Sequence, residues 1–118
     1  MDNTLPKAEM LSGKVGITEL VEKGRWGSVS ELKYCWRSGN GAGRNRLMVS
    51  VPKKFFKRAV KRNLLKRRLR ESYRTQKSLL PKDSGIDILL LYNTKEVLQF
   101  RTISEKVGEI LTKIASSI

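Results

Sequence analysis

The sequence predicts an α+β domain in which a single-layer mixed β-sheet is packed with helices in the order α-β-β-α-β-α. Three observations carry that expectation. Two half-buried strand patterns flank a glycine-rich turn, a long stretch without Gly or Pro is built from Arg, Lys and Leu, and the last third pairs an apolar strand with an amphipathic helix. With 118 residues, 39% of them hydrophobic, the chain suffices for one domain with a small core. We therefore expect residues 1–118 to form one unit, with residues 1–11 flexible.

The elements follow in order. Residues 14–23, KVGITELVEK, place Val15, Ile17, Leu20 and Val21 at helical spacing and stop at Gly24, a helix C-terminal signal. In residues 31–37, Leu32, Tyr34 and Trp36 alternate with Lys33, Cys35 and Arg37, the period of a half-buried strand, so the first three are expected in the core. After the turn GNGAG at 39–43, residues 46–51 set Leu47, Val49 and Val51 on one face, and the two strands read as an antiparallel hairpin ended by Pro52. The helix runs from about Lys57 to Lys77, made of strong helix formers. Leu80, Pro81 and Gly85 interrupt the chain before IDILLLY, residues 86–92, whose continuous apolar run suits a central strand covered on both faces. Finally Ile103, Val107, Ile110, Leu111 and Ile114 mark one face of a helix over 102–115.

Charge is concentrated in one of these elements. The chain carries 25 Lys and Arg against 11 acids, a net +14, which points to a polyanionic partner. Residues 53–77 hold 12 basic side chains and the single acid Glu71, so this segment contributes +11 and the rest of the chain only +3. On a helical wheel Leu65, Leu69 and Tyr73 form an inward stripe, while Arg62, Asn63, Lys66, Arg67, Arg70 and Arg74 fall on a neighbouring arc of roughly 140°. Arg62, Lys66, Arg70 and Arg74 repeat at i, i+4, where like charges repel, and a bound polyanion would relieve that repulsion. A solvated face normally mixes signs, a membrane-surface or calmodulin-binding helix needs an exposed apolar face, and a leucine zipper needs heptads that are missing here.

Much is excluded. There is no His, which removes the commonest general base and the usual catalytic triads, and a lone Cys35 allows neither a disulfide within the chain nor a thiolate metal site. With no base beside it, Cys35 is expected to be inert. Asp83 and Asp87 flank a turn and a strand and are given no metal role. No apolar run reaches the length of a membrane span, and the N-terminal sequence has no secretory pattern, so a cytoplasmic location without membrane contact is expected.

The segment from Val51 to Arg74, VPKKFFKRAVKRNLLKRRLRESYR, resembles the signature of the bacterial ribonuclease P protein component, a strand end with Lys followed by an AVxRNRxKRxxRE helix. The match fixes Asn63 among basic side chains, which mere basicity does not require. The resemblance extends over about residues 11–115. It implies a ribonuclease P protein-like fold (ribosomal protein S5 domain 2-like) with a left-handed βαβ crossover. It also implies a protein subunit of the endonuclease that removes the 5′ leader of precursor tRNA. In that family the ribonuclease P RNA performs the hydrolysis with Mg²⁺ that it mainly binds itself, while the protein contacts this RNA and the leader. The implied RNA-binding set is Lys53, Lys54, Lys57, Arg58, Lys61, Arg62, Asn63, Lys66, Arg67, Arg70 and Arg74, with no catalytic or metal-ligating residue in the protein.

Two departures stand out. Leu64 replaces an Arg of the motif, with Lys57, Arg58 and Arg68 as neighbours that could compensate. Two aromatics of the family's first helix correspond to Ile17 and Val21 here, and a strand Tyr corresponds to Cys35. The implied leader cleft is thus lined by Ile17, Val21, Lys33, Cys35 and Arg37, a surface better suited to phosphates than to base stacking. A ribosomal or other structural rRNA-binding protein would show the same basicity and is the alternative reading.

Overall fold

The structure is a computed structural model that describes residues 9–11 and 14–118, apart from the side chains of residues 14 and 15. In chain order the elements are α1 (Lys14–Lys23), β1 (Arg25–Val29), β2 (Leu32–Arg37), β3 (Arg46–Ser50), α2 (Ala59–Gln76), β4 (Asp87–Tyr92) and α3 (Phe100–Ser117), with a short 3-10 turn at Lys77–Leu79. The four strands form one mixed sheet in the order β1-β2-β4-β3.

This sheet contains a strand that the sequence reading lacks. In β1 the large apolar residues Trp26 and Val29 point to opposite faces, and Gly27 sits between them, so no alternation is visible. Tertiary contact explains the glycine. Any Cβ at Gly27 would collide with the Tyr34 ring lying over it. The hairpin of the fold is therefore β1–β2, joined through Ser30 and Glu31, with Ser30 at a positive φ of 52°.

The expected hairpin between the second and third strands is replaced by a different arrangement. β4 lies between them, antiparallel to β2 and parallel to β3. Its apolar run needs cover on both faces and a partner on both edges, which a position outside a β2–β3 pair would not supply. The segment between β2 and β3 instead bridges the end of β4, helped by positive φ at Gly39, Gly41 and Gly43. Asn40 fastens it there, through N–H to the Gly85 carbonyl at 3.0 Å and Nδ2 to Asp87 Oδ1 at 2.8 Å. Asp87 also receives Nε and Nη2 of Arg46 at 2.8 and 2.9 Å, so its buried carboxylate is fully occupied in closing the sheet.

The two sheet faces are unequal. One holds the main core, where Leu32, Tyr34, Trp36, Leu47, Val49, Ile88, Leu90 and Tyr92 meet Leu65, Leu69 and Tyr73 of α2 and the stripe Ile103, Val107, Ile110, Leu111 and Ile114 of α3. Tyr34 and Trp36 are core residues, as their alternation implied. The other face has a small cluster of Leu11, Leu20, Cys35 and Leu89, covered by α1. Of the four apolar positions expected to pack in α1, only Leu20 is buried; Ile17 is half-buried, Val21 is 42% exposed, and the side chain of residue 15 is outside the described set. At the end of the segment 1–11, Met10 bridges Leu47, the Leu11 N–H donates to the Leu47 carbonyl at 2.8 Å, and Leu11 is buried. Residues 1–8 lie outside the described residues.

Candidate nucleic-acid interface

Helix α2 is pinned to the core by its inward stripe, and Ser72 joins Leu65, Leu69 and Tyr73 there by donating its hydroxyl to the Arg68 carbonyl at 2.7 Å. That leaves the predicted arc facing outward, with Asn63 and Arg67 exposed and Lys66 and Arg70 half-buried, while Lys61 is exposed on the other side of the stripe. Among the described residues no ion pair engages Lys53, Lys54, Lys57, Arg58, Lys61, Lys66, Arg67 or Arg70. The helix start adds to the positive potential. Arg58 is its N-cap without a side-chain capping bond, and no acid sits in the first turn, where a carboxylate would complement the helix dipole.

Three arginines of the segment have a different use. Arg62 Nη1 donates to the carbonyls of Phe56 and Lys57, both at 2.8 Å. It thereby holds the loop between β3 and α2, which Phe56 also anchors by packing edge-on against Tyr92 with ring centroids 5.8 Å apart. Lys53, Lys54, Lys57 and Arg58 are exposed on that loop, and Lys54 Nζ lies 4.9 Å from the centroid of the Phe55 ring. Arg62, expected to contact phosphate, thus uses Nη1 to position the loop that carries four other basic groups. Arg68, expected to compensate for Leu64, donates Nη1 to the Leu98 carbonyl at 2.6 Å and ties α2 to the start of α3. Arg74 is paired with Glu71, whose carboxyl it holds below its ordinary range, so this end of the arc is neutralised within the protein.

The α1 face answers for the expected cleft residues. Lys33, Cys35 and Arg37 do share this face, but α1 lies across part of it. Cys35 is completely buried, with Sγ 3.3 Å from the Leu20 carbonyl, and burial pushes its thiol up to about 11. It is the floor beneath α1 rather than a cleft surface. Gly24 is what allows this approach, because a Cβ there would overlap Cys35 Sγ. Arg37 Nη1 bonds Glu19 Oε2 at 2.8 Å, lowering the Glu19 carboxyl and fastening α1 to the sheet. The cleft positions left accessible are Val21 and Lys33, with Ile17 and the Glu19-bonded Arg37 half-buried.

Sequence reasoning missed Trp26. It stands on β1 in register with Cys35, 49% exposed, and its indole Nε1 donates to the Val21 carbonyl at 3.2 Å. The signal was the RWG tripeptide just after a helix stop, unreadable without the strand. Elsewhere, a cavity of about 660 Å³ at the far end of α2 is lined by Glu9, Arg44, Tyr73, Lys77, Lys82 and Asp83 among others. Its charges are mixed, and Lys77 already binds Glu9 at 2.7 Å, so it is a poorer surface for phosphates than the α2 arc.

Most carboxylates among the described residues serve as ion-pair partners. Glu9, Glu19, Glu31, Glu71, Asp87 and Glu105 are all taken up by Lys or Arg. Among the described residues no three metal-ligating side chains converge. No helix among those described is long and apolar enough to cross a membrane.

Comparison with known proteins agrees with the motif. The Ribonuclease P family model matches residues 5–115. A ribonuclease P protein component of Porphyromonas gingivalis is 33% identical, covering 97% of this chain and 88% of that one, and one of Thermotoga maritima is 39% identical over 64% of this chain. The solved structure of the Thermotoga maritima RNase P protein superposes with a TM-score of 0.76 at 29% identity, covering 89% of this chain and 96% of that one. The Staphylococcus aureus RNase P protein shares the fold, with a TM-score of 0.77 at 24% identity. With the family model matching residues 5–115 and a relative 33% identical over nearly the whole chain, on a shared fold, the chain belongs to the ribonuclease P protein family.

Proposed function

We propose that this chain binds ribonuclease P RNA through α2 and the loop before it, and meets the 5′ leader of precursor tRNA on the opposite, α1-bearing face of the sheet. The observation that carries this reading is the set of basic groups on α2 and its preceding loop that have no acidic partner among the described residues. Lys61, Lys66, Arg67 and Arg70, with Lys53, Lys54, Lys57 and Arg58, neutralise RNA phosphates and release counterions. Such contacts set position and register rather than sequence. Asn63, exposed among them, supplies an amide that can both donate and accept toward RNA.

Hydrolysis belongs to the RNA subunit, with Mg²⁺ held there supplying charge stabilisation and an activated water. The protein's share is binding and orientation of two RNAs on two faces of one sheet, in the cytoplasm. The test is reconstitution. Adding the protein to a bacterial ribonuclease P RNA at low Mg²⁺ should restore cleavage of precursor tRNA at the mature 5′ end, and the protein alone should cleave nothing. Failure to stimulate that RNA, together with tight binding to ribosomal RNA, would instead support a structural rRNA-binding protein.

A further inference from the structure

We propose that Trp26 is a stacking surface for one base of an unpaired RNA strand, the 5′ leader of the substrate. The assignment of that strand rests on the function proposed above. Four observations lead to it. Of the two tryptophans, Trp36 is buried in the core, whereas Trp26 keeps 49% of its surface open on the edge strand. The tyrosines cannot serve, since Tyr34, Tyr73 and Tyr92 are all buried.

The ring is also held. Its N–H is satisfied by the Val21 carbonyl at the end of α1, so the polar part of the indole is already bonded and the π face is what remains to offer. A ring fixed in this way loses little freedom when a base lands on it. Val21, itself 42% exposed, extends the apolar surface beside it.

The surroundings favour a nucleic-acid strand over an apolar partner. Lys23 at the end of α1 and Lys33 on β2 are exposed on this side, against Glu22 as an exposed acid of the same helix end, whereas Arg25 turns to the other face and stacks over Trp36 at 5.3 Å. The register then sets Ser28, Lys33, Leu91 and Ser50 in one row across all four strands, next to the row that α1 covers. Ser28 and Lys33 are exposed, and Leu91 and Ser50 half-buried, so the row is an open track from Trp26 toward Lys53 and Lys54 just beyond β3. An aromatic platform beside a basic track is the arrangement by which unpaired strands are bound without strict sequence demand. Ile17 and Val21 cannot stack, so the aromatic contribution on this face comes from the strand side of the cleft.

The leader is the strand chosen because α2 packs on the other sheet face. An RNA subunit held by α2 leaves the Trp26 face for a second RNA. Two measurements test the proposal. With holoenzyme assembled from parent protein, W26A or W26F, W26A should bind precursor tRNA about tenfold more weakly while binding tRNA without a leader equally well. W26F, which keeps an aromatic face, should recover most of the loss. Equal affinity of parent and W26A for the leader-bearing substrate would overturn the proposal.

The second measurement uses the parent protein alone, labelled with fluorotryptophan and titrated with oligouridylate under fluorine NMR. The Trp26 resonance should move and that of Trp36 stay. A Trp26 resonance unmoved at saturation overturns the proposal irrespective of how any variant folds. If the parent protein fails to activate ribonuclease P RNA yet the Trp26 resonance still moves, it is the functional reading that falls and the stacking surface that stands.

Discussion

Helices α2 and α3 are both 18 residues long and pack side by side over the same core, yet they are charged in opposite styles. α3 carries Arg101, Lys106 and Lys113 against Glu105 and Glu109, and it spends them on ordinary pairs, Arg101 with Glu105 at 3.6 Å and Lys106 with Glu31 at 2.9 Å. α2 carries seven basic side chains against Glu71 alone. Its inward stripe of Leu65, Leu69 and Tyr73 does the same structural task as the isoleucines and leucine of α3. Its outward arc is electrostatically unfavourable in isolation and favourable only against a polyanion. One helix is finished by folding. The other leaves most of its charges without an acidic partner among the described residues.

The largest effects should come from what the two helices share. Leu69→Ala and Ile110→Ala each remove a fully buried side chain and should cost about 2–5 kcal/mol in denaturant unfolding. If the comparison holds, the salt dependence of RNA binding by the folded variants stays at the parent value, since no phosphate contact is lost.

Arg62 sharpens the division within α2. Losing its two carbonyl bonds in Arg62→Ala should cost about 1–3 kcal/mol of stability, because the loop carbonyls lose a charged donor. Thermal or denaturant melts of Arg62→Ala and Arg67→Ala side by side decide the matter. Equal stability in the two variants would show that the clamp contributes nothing and return Arg62 to the phosphate-binding arc.

For the arc itself, Arg67→Ala or Arg70→Ala should leave stability nearly unchanged. Each should flatten the plot of log K against log[salt] for ribonuclease P RNA by about 0.7–0.9. Lys113→Ala on α3 removes the same charge from the other helix and should not change the slope. A matching loss from Lys113→Ala would mean that net charge alone governs binding.

The smallest effect concerns the one acid of α2. Arg74 holds the Glu71 carboxyl below its ordinary value of 4.5 in the folded protein. A lowered native value means that the pair supports the fold above that ordinary value and loses its contribution as pH falls through the lowered one. Urea midpoints should therefore drop between pH 7 and pH 3 slightly more in the parent than in Glu71→Gln. An identical drop would show that the pair contributes nothing to folding.

Legibility followed the range of the interactions involved. The long helix, its buried stripe, the central strand Asp87–Tyr92 and the α3 face were readable because each depends on periodicity within one segment. The basic arc was readable for the same reason: a helical wheel needs no partner. Where Arg62, Arg68 and Arg74 direct their guanidinium groups was not readable, since Phe56, Leu98 and Glu71 compete with RNA phosphate for the same donors and only assembled geometry shows which acceptor lies within reach. Cys35 was placed on the correct face, but its cover by α1 depends on Gly24 letting the chain turn tightly against it.

By itself, then, the sequence determined the fold class, the helix that concentrates the positive charge, and the family motif from Ala59 to Glu71. Tertiary structure alone decided the strand order, the existence of β1 and the exposure of Trp26. The reason lies in pairing. A helix satisfies its backbone hydrogen bonds within its own segment, whereas a strand does so only through neighbours distant in sequence, so β4 entered between β2 and β3 and a five-residue strand without alternation found its place on the edge.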